Sequence, residues 1–157
     1  MDHTLKEPLI RIAFVQSSWH KSIVDQCRFG FIEEIARHGI AARQVDLFEV
    51  PGAFEIPLHV KILAKSGRYA AIVASGLVVD GGIYRHEFVA SAVIDALMQV
   101  QLEIEVPVIS AVLTPQQFHD HEEHQRFFHS HFFVKGAEAA RACARTIDSL
   151  ARVGRAM

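Results

Sequence analysis

Cysteine is scarce here: the two thiols, Cys27 and Cys143, sit inside helix-like stretches with no CxxC pair and no zinc-type spacing. That excludes a disulfide framework or a thiolate metal site and leaves buried free thiols in a cytoplasmic protein as the expectation. No apolar run reaches membrane-spanning length, so no helical span is expected. No block of like charge exists and the formal net charge is only −2, which argues against a nucleic-acid or membrane surface. Repeats, low-complexity segments and linkers are also missing. Residues 1–8 are polar and charged, unlike a signal peptide, and read as an N-terminal tail ahead of a single domain over 9–157. What is present is a chain of 157 residues, half hydrophobic and 22% charged, which is globular and long enough to bury one real core.

The pattern along the chain is strand, loop, helix, four times over. Leu9 to Gln16 is a short apolar run that reads as a buried strand. Ser17 and Ser18 are N-cap candidates for a helix whose inner face carries Ile23, Cys27, Phe31 and Ile35, stopping near Gly39. Val45 to Val50 reads as the second strand, closed by Pro51-Gly52 and followed by a helix from about Phe54 to Lys65. Tyr69 to Val79 is nearly all apolar, as a central parallel strand covered on both faces should be. The next helix carries Val89, Val93, Leu97 and Val100 on one stripe, and Val106 to Leu113 is the fourth strand. Thr114-Pro115-Gln116-Gln117 has the form of a capping box with Pro at the first helical position. A His-rich stretch then leads to a last helix from about Lys135, with Ala137, Ala140, Ala144, Ile147 and Ala151 inward. Such alternation predicts right-handed βαβ crossovers in a three-layer α/β sandwich. Ligands in such a sheet sit beyond the C-terminal ends of the strands, so every strand-to-helix loop is a site candidate.

The loop Asp80-Gly81-Gly82-Ile83-Tyr84-Arg85-His86 joins a buried strand to a helix. Two glycines let backbone N–H groups face a ligand, and the helix start adds a positive dipole end, so the loop suits a phosphate. A plain tight turn is the bland alternative. His86 can give and take a proton near neutral pH, and Arg85 stays charged and can hold phosphate or an oxyanion. At Pro51 to Pro57, Glu55 falls in a first helical turn, where it either stabilises the helix or accepts hydrogen bonds from ligand hydroxyls. Trp19, the only tryptophan, lies on the first loop and is either a stacking plate for a flat heterocycle or a core or interface ring. The histidines from His119 to His131 invite a metal reading, but their spacing matches no standard zinc site. A polar face, or a phosphate-facing edge using Arg126 or a histidine, fits them better.

Taken in order, these loops resemble the lumazine synthase family. Three segments carry the resemblance: Val50-Pro-Gly-Ala-Phe-Glu-Ile-Pro57, Gly76-Leu-Val-Val-Asp-Gly-Gly-Ile-Tyr-Arg-His-Glu-Phe-Val89, and Lys135-Gly-Ala-Glu-Ala-Ala140. With Val112-Leu-Thr114 added, the similarity runs from about Ile10 to Ala151. It implies a flavodoxin-like four-stranded parallel sheet. It also implies condensation of 5-amino-6-(D-ribitylamino)uracil with 3,4-dihydroxy-2-butanone 4-phosphate to 6,7-dimethyl-8-ribityllumazine, phosphate and water, without cofactor or metal. The sites would lie between neighbouring subunits of a homo-pentamer. Carried over residue by residue, Trp19 would stack on the pyrimidine. Ala53, Phe54 and Glu55 would hold the ribityl chain and ring edge, and the backbone of Val78, Val79 and Asp80 would read the pyrimidine. Gly81, Gly82 and Ile83 would hold phosphate. Ser110 stands where many members present an aromatic from the adjacent subunit.

The chain departs from the family pattern in places. Counting from Gly81, the position of the usual acid–base histidine holds Arg85, with His86 one later, so these two share the catalytic assignment. Asp80 stands where many members differ. The segment from Thr114 to Lys135 is longer than usual, which leaves Arg126, His129 and His131 as candidates for the phosphate-binding arginine. These features resemble the divergent second type of the family, which tends to form decamers. The resemblance leaves room for riboflavin binding. It also leaves an alternative: a weakly active or inactive flavin- or lumazine-binding protein.

Overall fold

A computed structural model describes residues 9–79, 85–115 and 122–156 of the chain. Four strands, β1 (Ile12–Ser17), β2 (Val45–Val50), β3 (Ala71–Leu77) and β4 (Val108–Leu113), form one sheet in the order β2-β1-β3-β4. All three pairings are parallel. Helices α1 (Lys21–Ala36), α2 (Ile56–Lys65), α3 (His86–Ile104) and α4 (Glu122–Ala156) cover both faces. This is the three-layer α/β sandwich that the alternation implies.

The strands are two-faced, as their period of two requires. Ile12, Phe14, Val73 and Leu77 point into a core closed by α1 and α4. Ala13, Val15, Ile72 and Ala74 point into a second core closed by α2 and α3. The central strands β1 and β3 are buried along their whole length, which explains their unbroken apolar sequence. The expected helix stripes are where the 3.6-residue period puts them. Ile23, Cys27, Phe31 and Ile35 are sealed, as are Val93, Leu97 and Val100, while Val89 packs against the second core from a partly buried position. Burial pushes the Cys27 thiol up to about 11, with Ser75 opposing, and the Cys143 thiol up to about 12.

Three expectations need correction. The last helix starts at Glu122, about thirteen residues before Lys135. Phe128 and Phe132 extend the buried stripe of Ala140, Cys143 and Ala144 upstream through the histidines, so periodicity outweighs the polar composition there. The stripe also ends earlier than expected, since Ala151 is exposed. Ser17 and Ser18 do not cap α1. Ser17 is the buried last residue of β1, and the cap position is His20, with no side-chain cap. The capping box at Thr114–Gln117 runs into residues outside the described ones.

Helices α1 and α4 touch at backbone distance. A Cβ on Gly30 would run into the carbonyl oxygen of Phe133, and one on Gly136 into that of Cys27. Only glycine fits at either place, so the two helices interlock through this pair. Across the same contact the Glu34 carboxylate, nearly buried, takes Arg37 of its own helix at 2.7 Å and Arg141 of α4 at 3.3 Å. Burial would raise its pKa, but Arg37, Arg141 and His38 more than offset this and hold it below the usual carboxylate range. Among the described residues no helix is long and apolar enough to cross a membrane.

Candidate active site

The strand order reverses between β1 and β3, because α1 leaves towards one face and α3 towards the other. The loops diverge there and open a crevice at the C-terminal ends of the strands. A cavity of about 270 Å³ occupies it, lined by Trp19 after β1, Gly52 to Glu55 after β2, Leu77 at the end of β3 with Val78 after it, and Val89 of α3. Five of the expected substrate residues, Trp19, Ala53, Phe54, Glu55 and Val78, therefore come together from three separate loops.

Each is placed by its local sequence. Pro51-Gly52 turns the chain out of β2, and Ala53–Glu55 forms one 3₁₀ turn that feeds α2. Pro57 in the first turn of α2 costs no hydrogen bond there. Glu55 ends up exposed beside the helix start, and its backbone carbonyl meets the ring of His59 at 2.8 Å. Ala53 is buried and forms part of the floor, whereas Phe54 is two-thirds exposed and forms a rim. Trp19 is 55% exposed, so its indole is a wall of the cavity and not a core ring. Val79 is buried, but its side chain joins the α1–α4 core, which leaves only its backbone for the crevice. The walls are mainly carbon, with one carboxylate, and suit a flat ring carrying a polyol chain.

Arg85 is the N-cap of α3 and His86 its first residue, in the turn before Val89; neither of these two lines the cavity. Arg85 is exposed, with its guanidinium 5.7 Å from the centre of the Phe88 ring. The His86 side chain is mostly covered, and its Nδ1 lies 3.3 Å from a Glu87 carboxylate oxygen. Asp80, Gly81, Gly82 and Ile83 lie outside the described residues. Ser110 is exposed on the edge strand β4 and does not line the cavity.

The other phosphate candidates sit elsewhere on this protomer. Arg126 and His129 line a groove of about 480 Å³ with Ser22 and Ile23 at the start of α1. His131 lines a second groove on α4, again with Arg126, and stacks on Phe127 with ring centres 5.5 Å apart. Among the described residues no three metal-binding side chains converge. Composition alone does not reveal the polar brace beneath the Trp19 loop. Gln16, the sealed residue before the end of β1, donates to Asp25 at 2.5 Å. Lys21 donates to Asp25 at 3.0 Å and to Glu49 of β2 at 2.7 Å. Burial acts to raise the Asp25 pKa, yet Gln16, Lys21 and Arg28 hold it below the usual carboxylate range. The signal was a glutamine in an otherwise apolar strand, which needs a buried partner.

Comparison with known proteins gives the family. Residues 9–151 match the family described as 6,7-dimethyl-8-ribityllumazine synthase. A Pseudomonas syringae protein named 6,7-dimethyl-8-ribityllumazine synthase 2 is 63% identical over 91% of this chain and 84% of its own length. A Rhodococcus erythropolis protein named 6,7-dimethyl-8-ribityllumazine synthase is 64% identical over 89% of this chain and 90% of its own. A Bradyrhizobium diazoefficiens protein, also named synthase 2, is 62% identical over 91% of this chain and 86% of its own. With matches of that extent on a parallel sheet of this order, the chain belongs to the 6,7-dimethyl-8-ribityllumazine synthase family.

Proposed function

We propose that the chain carries out the reaction of its family at the crevice walled by Trp19, Ala53, Phe54, Glu55 and Val78. It is a transferase of riboflavin biosynthesis, condensing 5-amino-6-(D-ribitylamino)uracil with 3,4-dihydroxy-2-butanone 4-phosphate. The observation that carries the site assignment is the convergence of these five residues on one cavity at the strand ends. The pyrimidine stacks on Trp19, its ribityl hydroxyls reach Glu55 and the nearby backbone, and the edges of the ring meet the backbone of Val78, Val79 and Asp80. Phosphate is assigned to Gly81, Gly82 and Ile83, which precede α3 in the sequence, since the N–H groups and dipole of a helix start favour an anion.

Held so, amine and ketone react as one bound pair, and positioning supplies much of the acceleration. The amine adds to the carbonyl and water leaves, giving an imine. A proton is removed and phosphate is expelled. The second nitrogen then closes the ring with loss of water. His86 transfers the proton, and Arg85 steadies phosphate or enolate charge.

The site is completed by a second copy of the chain in a homo-pentamer or decamer. Exposed Leu58 and Ile62 of α2, and Phe88, Ile94, Met98 and Leu102 of α3, sit on helices that cover one side of the sheet. So much apolar surface on one side calls for a cover. Ser110, and Arg126 or the histidines of α4, then reach a neighbour's crevice rather than their own. We place the enzyme in the cytoplasm, with no nucleic-acid or membrane partner. The alternative of a weakly active flavin- or lumazine-binding protein is not favoured, because the relatives carry the enzyme's name.

The test is direct: mix purified protein with both substrates and follow lumazine fluorescence above the uncatalysed rate. A protein-dependent rise is expected. No rise from folded protein overturns the reading and makes riboflavin affinity the next measurement.

A further inference from the structure

The loop that carries Trp19 contains a backbone anomaly. His20 has φ +53° and ψ +47°, and it is one of only two non-glycine residues with positive φ among those described. Residues with a Cβ seldom take this left-handed form, and it persists only where the surroundings over-determine it. The surroundings do so here from both sides. Upstream, the Ser18 N–H donates to the Val50 carbonyl at 2.9 Å, tying the loop to the end of β2. Downstream, the His20 carbonyl accepts the N–H groups of Ile23 and Val24, both at 3.0 Å, which starts α1. Lys21 grips Glu49 of β2 and Asp25 of α1, and Asp25 is held in turn by Gln16 of β1.

Between these clamps only Trp19 and His20 remain to make the turn. His20 absorbs it, and the consequence falls on its neighbour. The Trp19 indole is directed into the crevice, where it forms a wall while staying half exposed. The His20 ring meets it edge to face, with centres 6.0 Å apart and planes at 81°.

We propose that His20 is a positioning residue, whose left-handed backbone and ring contact hold the Trp19 indole in stacking position before substrate arrives. This rests on the reading of the crevice as the ring site. A stacking plate already in place costs the ligand no ordering entropy on binding. The role needs a residue that tolerates left-handed backbone, which His and Asn do better than most and β-branched residues do worst.

The chain's single tryptophan makes intrinsic fluorescence a reporter of this one ring, read without substrate. In His20→Val, acrylamide quenching of Trp19 should change. KM for the ribitylaminouracil should rise about tenfold, the order of the left-handed penalty of a β-branched residue, with a smaller change in kcat. His20→Asn should bring both readouts part of the way back towards the parent, since Asn accepts this backbone but lacks the ring; no recovery at all would deny the backbone its share of the role. If His20→Val leaves quenching unchanged, the proposal fails and the crevice assignment stands. If quenching changes but KM does not, Trp19 is not the stacking plate, and both readings fall together. Should His20→Val not fold, His20→Gly serves. It keeps the backbone form but loses the ring contact and the stiffness, and unchanged quenching and KM there overturn the proposal.

Discussion

Replacing Gly136 with alanine tests the interlock of α1 and α4, because two physical effects there have opposite signs. Helix propensity alone favours alanine over glycine by about 1 kcal/mol within a helix. Packing opposes it. The new Cβ would fall on the Cys27 carbonyl oxygen, 2.8 Å from its carbon and 2.9 Å from the Phe31 nitrogen. These are backbone atoms that no rotamer change can move. The helices must separate, loosening Phe132, Ala140 and Cys143 against α1. Overpacking a tight site costs about 3 kcal/mol at the upper end of its usual range. The net loss is then about 2 kcal/mol, or a fall in Tm of roughly 4–8 °C for a domain of this size. Gly154 of the same helix is the internal control, since a Cβ there would meet nothing within 4 Å. Gly154→Ala should hold Tm level or raise it by up to about 3 °C. The assay is thermal unfolding followed by circular dichroism at one fixed protein concentration, because assembly makes Tm concentration-dependent. If Gly136→Ala raises Tm as the control does, propensity has won and the close crossing is wrong.

Three further outcomes follow from the site and its supports. His86→Ala should lower kcat on the order of a hundredfold or more, whereas Arg85→Ala should chiefly raise KM for the butanone phosphate; unchanged turnover in the first with abolished turnover in the second would reverse the assignment. Glu34→Gln should destabilise the protein at neutral pH. Because the folded pKa of Glu34 lies below its ordinary 4.5, its contribution is present above that value and lost as pH falls through the folded pKa. In chemical denaturation the gap between variant and parent should therefore narrow below about pH 4.5, and a gap constant down to pH 3 would deny the carboxylate its role. Ile62→Asp should shift the protein to smaller species in light scattering and lower activity together; an unchanged mass would remove α2 from the proposed assembly surface.

Much of this is legible in the sequence, for reasons that differ by element. The unbroken apolar run of β3 announces a strand covered on both faces, and the stripe Ile23, Cys27, Phe31, Ile35 announces one helix face. Loops that follow strand ends lie at one end of a parallel sheet and are site candidates from the chain alone, whereas the grouping of Trp19, Phe54, Glu55 and Val78 at one mouth comes from the family resemblance. The upstream half of α4 is obscured because His, Glu and Gln dominate it, although Phe128 and Phe132 keep the helical period. The His20 conformation is hidden for a different reason. A positive φ is imposed by ties to Val50, Glu49 and Asp25, distant along the chain or on another element, and residue type alone does not encode it. The glycine pair at Gly30 and Gly136 is likewise silent in sequence, since what each requires lies on the other helix.

The two sides of the sheet are finished differently, and that difference bears on catalysis. The α1–α4 side locks its helices together within one chain by glycines at the crossing, a sealed core and a carboxylate shared between helices, although Phe127, Val134 and Val153 of α4 stay exposed. The α2–α3 side seals its core but leaves Leu58, Ile62, Met98 and Leu102 more than half exposed. The crevice draws walls from both halves: Trp19 hangs from the loop into α1, while Glu55 and Val89 belong to the beginnings of α2 and α3. The α1–α4 half therefore presents the aromatic plate, with His20 and the Asp25 brace next to it. The α2–α3 half presents the carboxylate, and the proposed acid–base pair stands at the start of α3. In the proposed assembly, covering the exposed helices would bring the neighbour's Ser110 and α4 to the polar side of the site. Activity should then track assembly more closely than it tracks the stability of the single chain. The two can be separated experimentally, because Gly136→Ala should weaken the fold and spare the site while Ile62→Asp should do the reverse.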